Sequence, residues 1–239
     1  MEHHIGFERA RRALATSHRD GTTLCAPFVD HFPISGAAVS VMVSGASGQS
    51  TICASDDVAA RIDELQFDLG EGPCWDAMGS HSPVLTPDLA VMGRSTWPAF
   101  GEAVARDDRA SAVASVFAFP LTIGSLEIGA IDLYSVQPTE LQTTAVSEAS
   151  ELADIAAWQV LRKILGEELD EVPRYSRREI HQATGMIIAQ LDVTAEEASL
   201  LLRAHAFATS RSVRDLANDV IARRIDFSEN GRSDDPPVG

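Results

Sequence analysis

In "ASVFAFPLTIGSLEIGAIDLYS" (residues 114–135), two β-rich runs are separated only by "IGS". A connection this short makes a hairpin, because parallel neighbours need a crossover of a dozen residues or more. The chain around it is therefore organised on antiparallel pairing. Upstream, "GAAVSVMVSG" alternates Val39, Val41 and Val43 and ends in Gly, which reads as a strand and a turn. "STICASD" is a partner strand for it. "FERARRALATSH" reads as a short amphipathic helix with Phe7, Ala10 and Leu14 on one face, and "DVAARIDELQFDL" and "WPAFGEAVARDD" as further helices. Helices and strands alternate irregularly and the last strands are adjacent. The fold class is α+β, an antiparallel sheet flanked by helices, rather than a doubly wound parallel sheet.

The texture then changes. "PTELQTTAVSEASELADIAAWQVLRKIL" is one long helix, expected to start at Pro138 and Thr139. Leu141, Ala145, Ala149, Leu152 and Ala156 form its apolar stripe, widened by Ile155, Trp158, Leu161 and Leu165. A stripe this wide either packs wholly on its own domain or packs one side there and offers another to a partner helix; the second reading gives a parallel dimer, which is the expectation. "GEELDEVP" breaks the pattern with charge and Pro173. Three short helices follow. The first spans about residues 176–191, with Ile180, Thr184, Ile187 and Leu191 inward. The second opens with a Thr194–Glu197 capping box and buries Ala198, Leu201, Leu202 and His205. The third opens at Ser212 and buries Val213, Leu216, Val220 and Ile221. They make a small all-α three-helix bundle. The boundaries read as an N-terminal helix 1–23, a sensor-type domain 24–166, a linker 167–175, the bundle 176–227 and a disordered tail 228–239.

The formal net charge of −16 is uneven. Residues 1–173 hold 10 Lys+Arg against 25 Asp+Glu, whereas residues 174–227 hold 8 against 7. An acidic body repels nucleic acid, so any polyanion contact belongs to the C-terminal bundle. Three Cys without metal-ligand spacing indicate a reducing compartment rather than a disulfide scaffold. No run reaches the length of a membrane span and the first residues lack an apolar core, so the chain reads as cytoplasmic.

Motifs for catalysis are absent. "LGEGPCWDA" begins like a dinucleotide fingerprint, but Trp75 occupies the third glycine's place and Pro73 removes a backbone N–H. It reads as a loop turning into a short helix that anchors Trp75, with Cys74 a buried structural thiol. There is no G-x-S-x-G, Walker loop or H-E-x-x-H. Asp56–Asp57 and Asp107–Asp108 read as helix caps or stops. No catalytic residue, cofactor or metal is expected.

"IHQATGMIIAQLDVTAEEASLLLRAHAFATSRSVRDLANDVIARR" resembles the ANTAR domain, an RNA-binding module of bacterial antitermination regulators. Ala183, Gly185 and Met186 carry the likeness in the first helix. Thr194–Glu197, Ala198 and Leu202–Arg203 carry it in the second, and Leu216–Ala217 and Val220–Ile221 in the third. Residues 24–165 resemble a GAF domain in length, element order and flanking helix. Together they look like the GAF–ANTAR regulators common in actinobacteria.

The resemblance implies a non-enzymatic mechanism: a dimer binds a pair of short RNA hairpins, the overlapping terminator does not form, and transcription continues. Single-stranded loops are read by hydrogen bonds to splayed bases, with Arg on phosphates. On that reading Gln182 meets a base edge, and Arg177, Arg178, Arg203, Arg211 and Arg214 meet phosphates. Gly185, costly inside a helix, admits either a neighbouring helix or a loop nucleotide; helix packing is the expectation. Many family members carry Lys where this chain has Thr184. For the GAF-like part the resemblance implies sensing, of a small-molecule ligand that the residues do not name, or dimerisation. A different class remains open, a DNA-binding transcription factor using "SVRDLANDVIARR", with Arg214 and Asn218 forward but Asp215 and Asp219 beside them. So does an adaptor in which the GAF part mediates protein interaction.

Overall fold

The hairpin forms as its spacing predicts. In the computed structural model, β4 (Ser115–Ile123) and β5 (Leu126–Ser135) pair antiparallel. β1 (Gly36–Val43) takes the other side of β5, with Gly36 opposite Tyr134 and Val41 opposite Gly129. β2 (Gly48–Ala54) and β3 (Val84–Thr86) complete the order β2-β1-β5-β4-β3. A Cβ on Gly129 would stand 1.8 Å from the Ser40 carbonyl oxygen, so only glycine lets β1 and β5 close here. The structure describes residues 2–20, 23–43, 48–166, 178–209 and 211–228. The linker expected at 167–175 and the tail after Ser228 lie outside them.

Both sheet faces are covered, as alternation in the central strands requires. Val39, Val41, Phe117, Phe119, Leu121, Ile131 and Leu133 pack with α1 (Glu2–Asp20), α2 (Ala26–His31) and α7 (Thr143–Gly166). His31 Nε2 lies 2.9 Å from Glu148 Oε2, and Arg11 Nε lies 2.9 Å from Glu151 Oε1, so a hydrogen bond ties α2 to α7 and an ion pair ties α1 to it. The opposite face carries small residues, Ala38, Ala118 and Ala130, under α3 (Asp57–Leu69) and α4 (Pro73–Ser80). α5 (Leu89–Thr96) and α6 (Pro98–Arg106) extend that layer through Leu89, Trp97 and Phe100. Asp56 caps α3, accepting from the Val58 and Ala59 N–H groups, and Asp107 ends α6 while accepting from the Arg109 and Ala110 N–H groups. Both acids serve backbone ends, as read from sequence.

Two expectations fail in this unit. The long helix begins at Thr143, not at Pro138. The Thr139 N–H donates to Ser115 Oγ, and its hydroxyl bonds Ser135 Oγ and the Gln137 carbonyl, which holds this segment against the strand ends. The cysteines are also not all free. Cys25 and Cys53 form a disulfide, with Cα atoms 6.3 Å apart, joining the N-cap of α2 to β2. Only the fold brings positions 28 residues apart into bonding range. Cys74 is free and buried.

The described residues form a second compact unit from Arg178 onward, the three expected helices α8 (Arg178–Leu191), α9 (Ala195–Ala208) and α10 (Val213–Ile221). Ala183, Ile187, Ala198, Leu202, Ala206, Val213, Leu216, Ala217 and Val220 make its core. The capping box is present in both directions, the Thr194 hydroxyl receiving the Glu197 N–H and the Glu197 carboxylate receiving the Thr194 N–H. Phe227 closes the unit, its N–H on Gln190 Oε1 at 3.2 Å and its ring edge-on to His205. Leu201, expected inside, is 37% exposed. The inward positions of α9 follow a spacing of four, Ala198–Leu202–Ala206, and Leu201 lies off that line.

Candidate nucleic-acid interface

On α8 the inward side is Ala183, Thr184 and Ile187, which leaves Arg178, Gln182, Gly185 and Ala189 exposed at spacings of four, three and four. These four share one outward stripe. It opens with a guanidinium and a carboxamide and continues with two residues that carry little or no side chain. An added Cβ at Gly185 would meet no atom within 4 Å. The expected helix packing at Gly185 is therefore overturned, and the backbone next to Gln182 is open to solvent. Thr184, where many ANTAR domains carry Lys, is inside the bundle at 1% exposure, its hydroxyl donating to the Ile180 carbonyl at 2.8 Å.

The remaining candidate cations are distributed over the other helices. Arg203 on α9 and Arg214 on α10 are half-buried beside the core, and Arg211 is exposed in the turn between these helices. Arg177 lies outside the described residues. Arg211 Nη2 donates to Asp219 Oδ2 at 2.5 Å, and Arg224 Nε donates to Asp219 Oδ1 at 2.6 Å. Those hydrogen bonds, from Arg211 first and Arg224 next, hold the Asp219 carboxyl below the usual carboxylate range. Arg211 is thus partly neutralised by an acid of its own unit. Of the candidates described, Arg178 and Gln182 are brought onto one stripe; Arg203, Arg211 and Arg214 are not part of it.

The first unit holds a polar cluster that the motif reading missed. Asp63 on α3 accepts from the Ser40 and Thr51 hydroxyls, both at 2.5 Å. Gln66, one turn on, donates from Nε2 to Asp132 Oδ2 at 2.7 Å and accepts from the Cys74 N–H at 2.8 Å. The Trp75 indole N–H donates to the Gln66 carbonyl at 2.8 Å, which gives the anchoring expected of that loop. Asp132 is 5% exposed, and its Oδ1, like Thr86 Oγ1, has no hydrogen-bond partner among the described residues. Burial, then the nearby Asp63 charge, pushes the Asp132 carboxyl up to about 8, against the Gln66 hydrogen bond. An acid within the apolar strand "IGAIDLYS" is the sequence signal that marks it, since a buried carboxyl must be neutralised or paired. Among the described residues no group of His, Cys, Asp and Glu is placed to hold a metal ion. No helix there is long and apolar enough to cross a membrane.

Comparison with known proteins accounts for both units. Residues 174–221 match the ANTAR domain. Among curated proteins none matches the chain. Among solved structures, the GAF domain of a phosphoenolpyruvate-protein phosphotransferase from Acinetobacter is similar at TM-score 0.50 and 10% identity, over 68% of this chain and 96% of that one. The corresponding GAF domain from Coxiella burnetii has TM-score 0.49 and 9% identity, over 67% and 96%. A free methionine-R-sulfoxide reductase from Neisseria meningitidis has TM-score 0.45 and 14% identity, over 66% and 91%. The first likeness shows the fold. The chain joins a unit with the GAF fold, a five-stranded antiparallel sheet flanked by helices, to a helical ANTAR domain. An ANTAR domain implies RNA-binding antitermination regulation.

Proposed function

We infer, from the joining of a GAF fold to an ANTAR domain, that this chain is a dimeric, cytoplasmic, non-catalytic antiterminator whose bundle binds paired RNA hairpins of a nascent transcript. The observation that carries the reading is the outward stripe of α8. Gln182 supplies donor and acceptor for a base edge, Arg178 a phosphate contact, and Gly185 and Ala189 leave room for a splayed nucleotide to approach the backbone. Arg177, Arg203, Arg211 and Arg214 are the further phosphate contacts of this reading. The acidic first unit repels the same polyanion and restrains binding until its signal arrives. A small polar ligand beside Asp132, under α3 and α4, is the signal that fits, because Asp132 Oδ1 is buried there without a hydrogen-bond partner among the described residues. Trp158, 52% exposed on α7, supports pairing of two chains along that helix.

The experiment is a gel-shift series with a two-hairpin RNA and a duplex DNA at one stated salt concentration. Preference for the hairpins is expected. Arg178→Ala should weaken all hairpins alike, whereas Gln182→Ala should relax loop preference by about 1–3 kcal/mol. Preference for duplex DNA overturns the reading.

A further inference from the structure

α9 is apolar on two sides. Ala198, Leu202 and Ala206 face the bundle core. On the opposite side Leu200 is 65%, Leu201 37% and Phe207 76% exposed, with Ala204 and Ala208 exposed between and beside them. Taking 100° per residue, these five positions lie within about 60° of Ala204, so they make one continuous stripe. A helix apolar all round is normally buried all round. The bundle covers only half of this one.

We propose that this outward face of α9 pairs, antiparallel, with the same face of α9 in a second copy of the chain. Charge selects that occupant. The stripe starts at exposed Glu196 and Glu197 and ends next to Arg211, just past the helix C-terminus. About a two-fold axis at Ala204, Leu201 meets the partner's Phe207 and Leu200 meets the partner's Ala208, which sets the acidic start of one helix, Glu196 and Glu197, at the C-terminal end of the other, where Arg211 keeps its bond to Asp219 and has further N–H donors to offer. A parallel pair would set Glu197 against Glu197 and is disfavoured. Ala204 at the axis lets the two helices approach closely. RNA is a poor occupant here, because two adjacent acids repel phosphate and Leu200 and Leu201 offer a base no hydrogen bond. Arg211, also in the proposed RNA group, lies at the rim of the stripe rather than within it.

The contact is small. A 14-residue helix is about 21 Å long, and one such pair buries less than the roughly 1,000 Å² of an independent interface. It closes where two chains are already held together, because tethering raises the effective concentration of the second contact. The inference thus rests on the dimer reading above. Its consequence is that the two RNA-binding bundles are held in one fixed orientation.

The test uses the full chain with Ala204→Cys, a short bis-maleimide crosslinker, and Asn218→Cys, exposed on α10, as the control. The parent supplies the background from buried Cys74. The Ala204→Cys chain should form covalent dimer about tenfold faster than the control, within the gain that tethering gives. Adding Leu201→Glu should bring it down to the control rate, while circular dichroism stays native. Light scattering on the same samples separates the two readings. Paired chains whose residue-204 thiols react no faster than those at 218 overturn the α9 pairing alone, whereas monomers throughout overturn both. If Ala204→Cys fails to crosslink and Phe207→Ala weakens hairpin binding, the face belongs to RNA and the proposal is wrong.

Discussion

Asp219 stands between Arg211 and Arg224 and accepts a hydrogen bond from each, at 2.5 and 2.6 Å. An acid on α10 therefore discharges one of the cations assigned to phosphate. Asp219→Asn should free Arg211, tighten hairpin RNA several-fold and steepen the salt dependence by about one ion. Titration at two or more salt concentrations measures both. An unchanged slope would remove Arg211 from the RNA face.

Gly185 makes two opposed demands on α8. Gly185→Ala meets no atom within 4 Å, so it should stabilise the bundle by about 1 kcal/mol in a denaturant titration. The same methyl enters the gap beside Gln182 and should weaken hairpin binding. A variant that gains stability and keeps full affinity would show that no nucleotide approaches the backbone there.

Asp132 makes the first unit pH-sensitive in a direction opposite to ordinary acid denaturation. Its folded carboxyl is raised from 3.8 to about 8, so the native state holds a proton that the unfolded chain has released. That contribution is fully present below pH 3.8, declines as pH rises, and is gone above about 8. Between pH 5 and 7.5 the parent should lose stability relative to Asp132→Asn, at up to about 1.4 kcal/mol per pH unit. Parallel stability curves for parent and variant would count against a buried protonated carboxyl.

The disulfide is open to a thiol count. Denatured without reductant, the protein should show one titratable thiol, Cys74, and three after reduction. Cys53→Ser should cost about 3 kcal/mol, since the bond closes a loop of roughly thirty residues. Three thiols in unreduced protein would contradict the bond.

What the sequence determined by itself was periodic or adjacent. The two-residue turn at Gly124 and Ser125 forces the β4–β5 hairpin, because no longer connection is present to make anything else. Thr194 and Glu197 declare the start of α9, because a capping box is made within four residues. The three amphipathic helices, with the ANTAR-like residues on them, were legible for the same reason. Tertiary structure decided what depends on distant neighbours. Pro138 looked like a helix start until Ser115 and Ser135, strand residues far from it or on another element, claimed Thr139. The Cys25–Cys53 pair and the Asp63–Gln66–Asp132 cluster join residues 28 and 66 positions apart, and no local period encodes such a meeting. At Gly185 and along the outer face of α9 the sequence said only that a residue was small or apolar. Whether such a residue is covered depends on which side of the helix the core takes, and three-dimensional packing alone settles that.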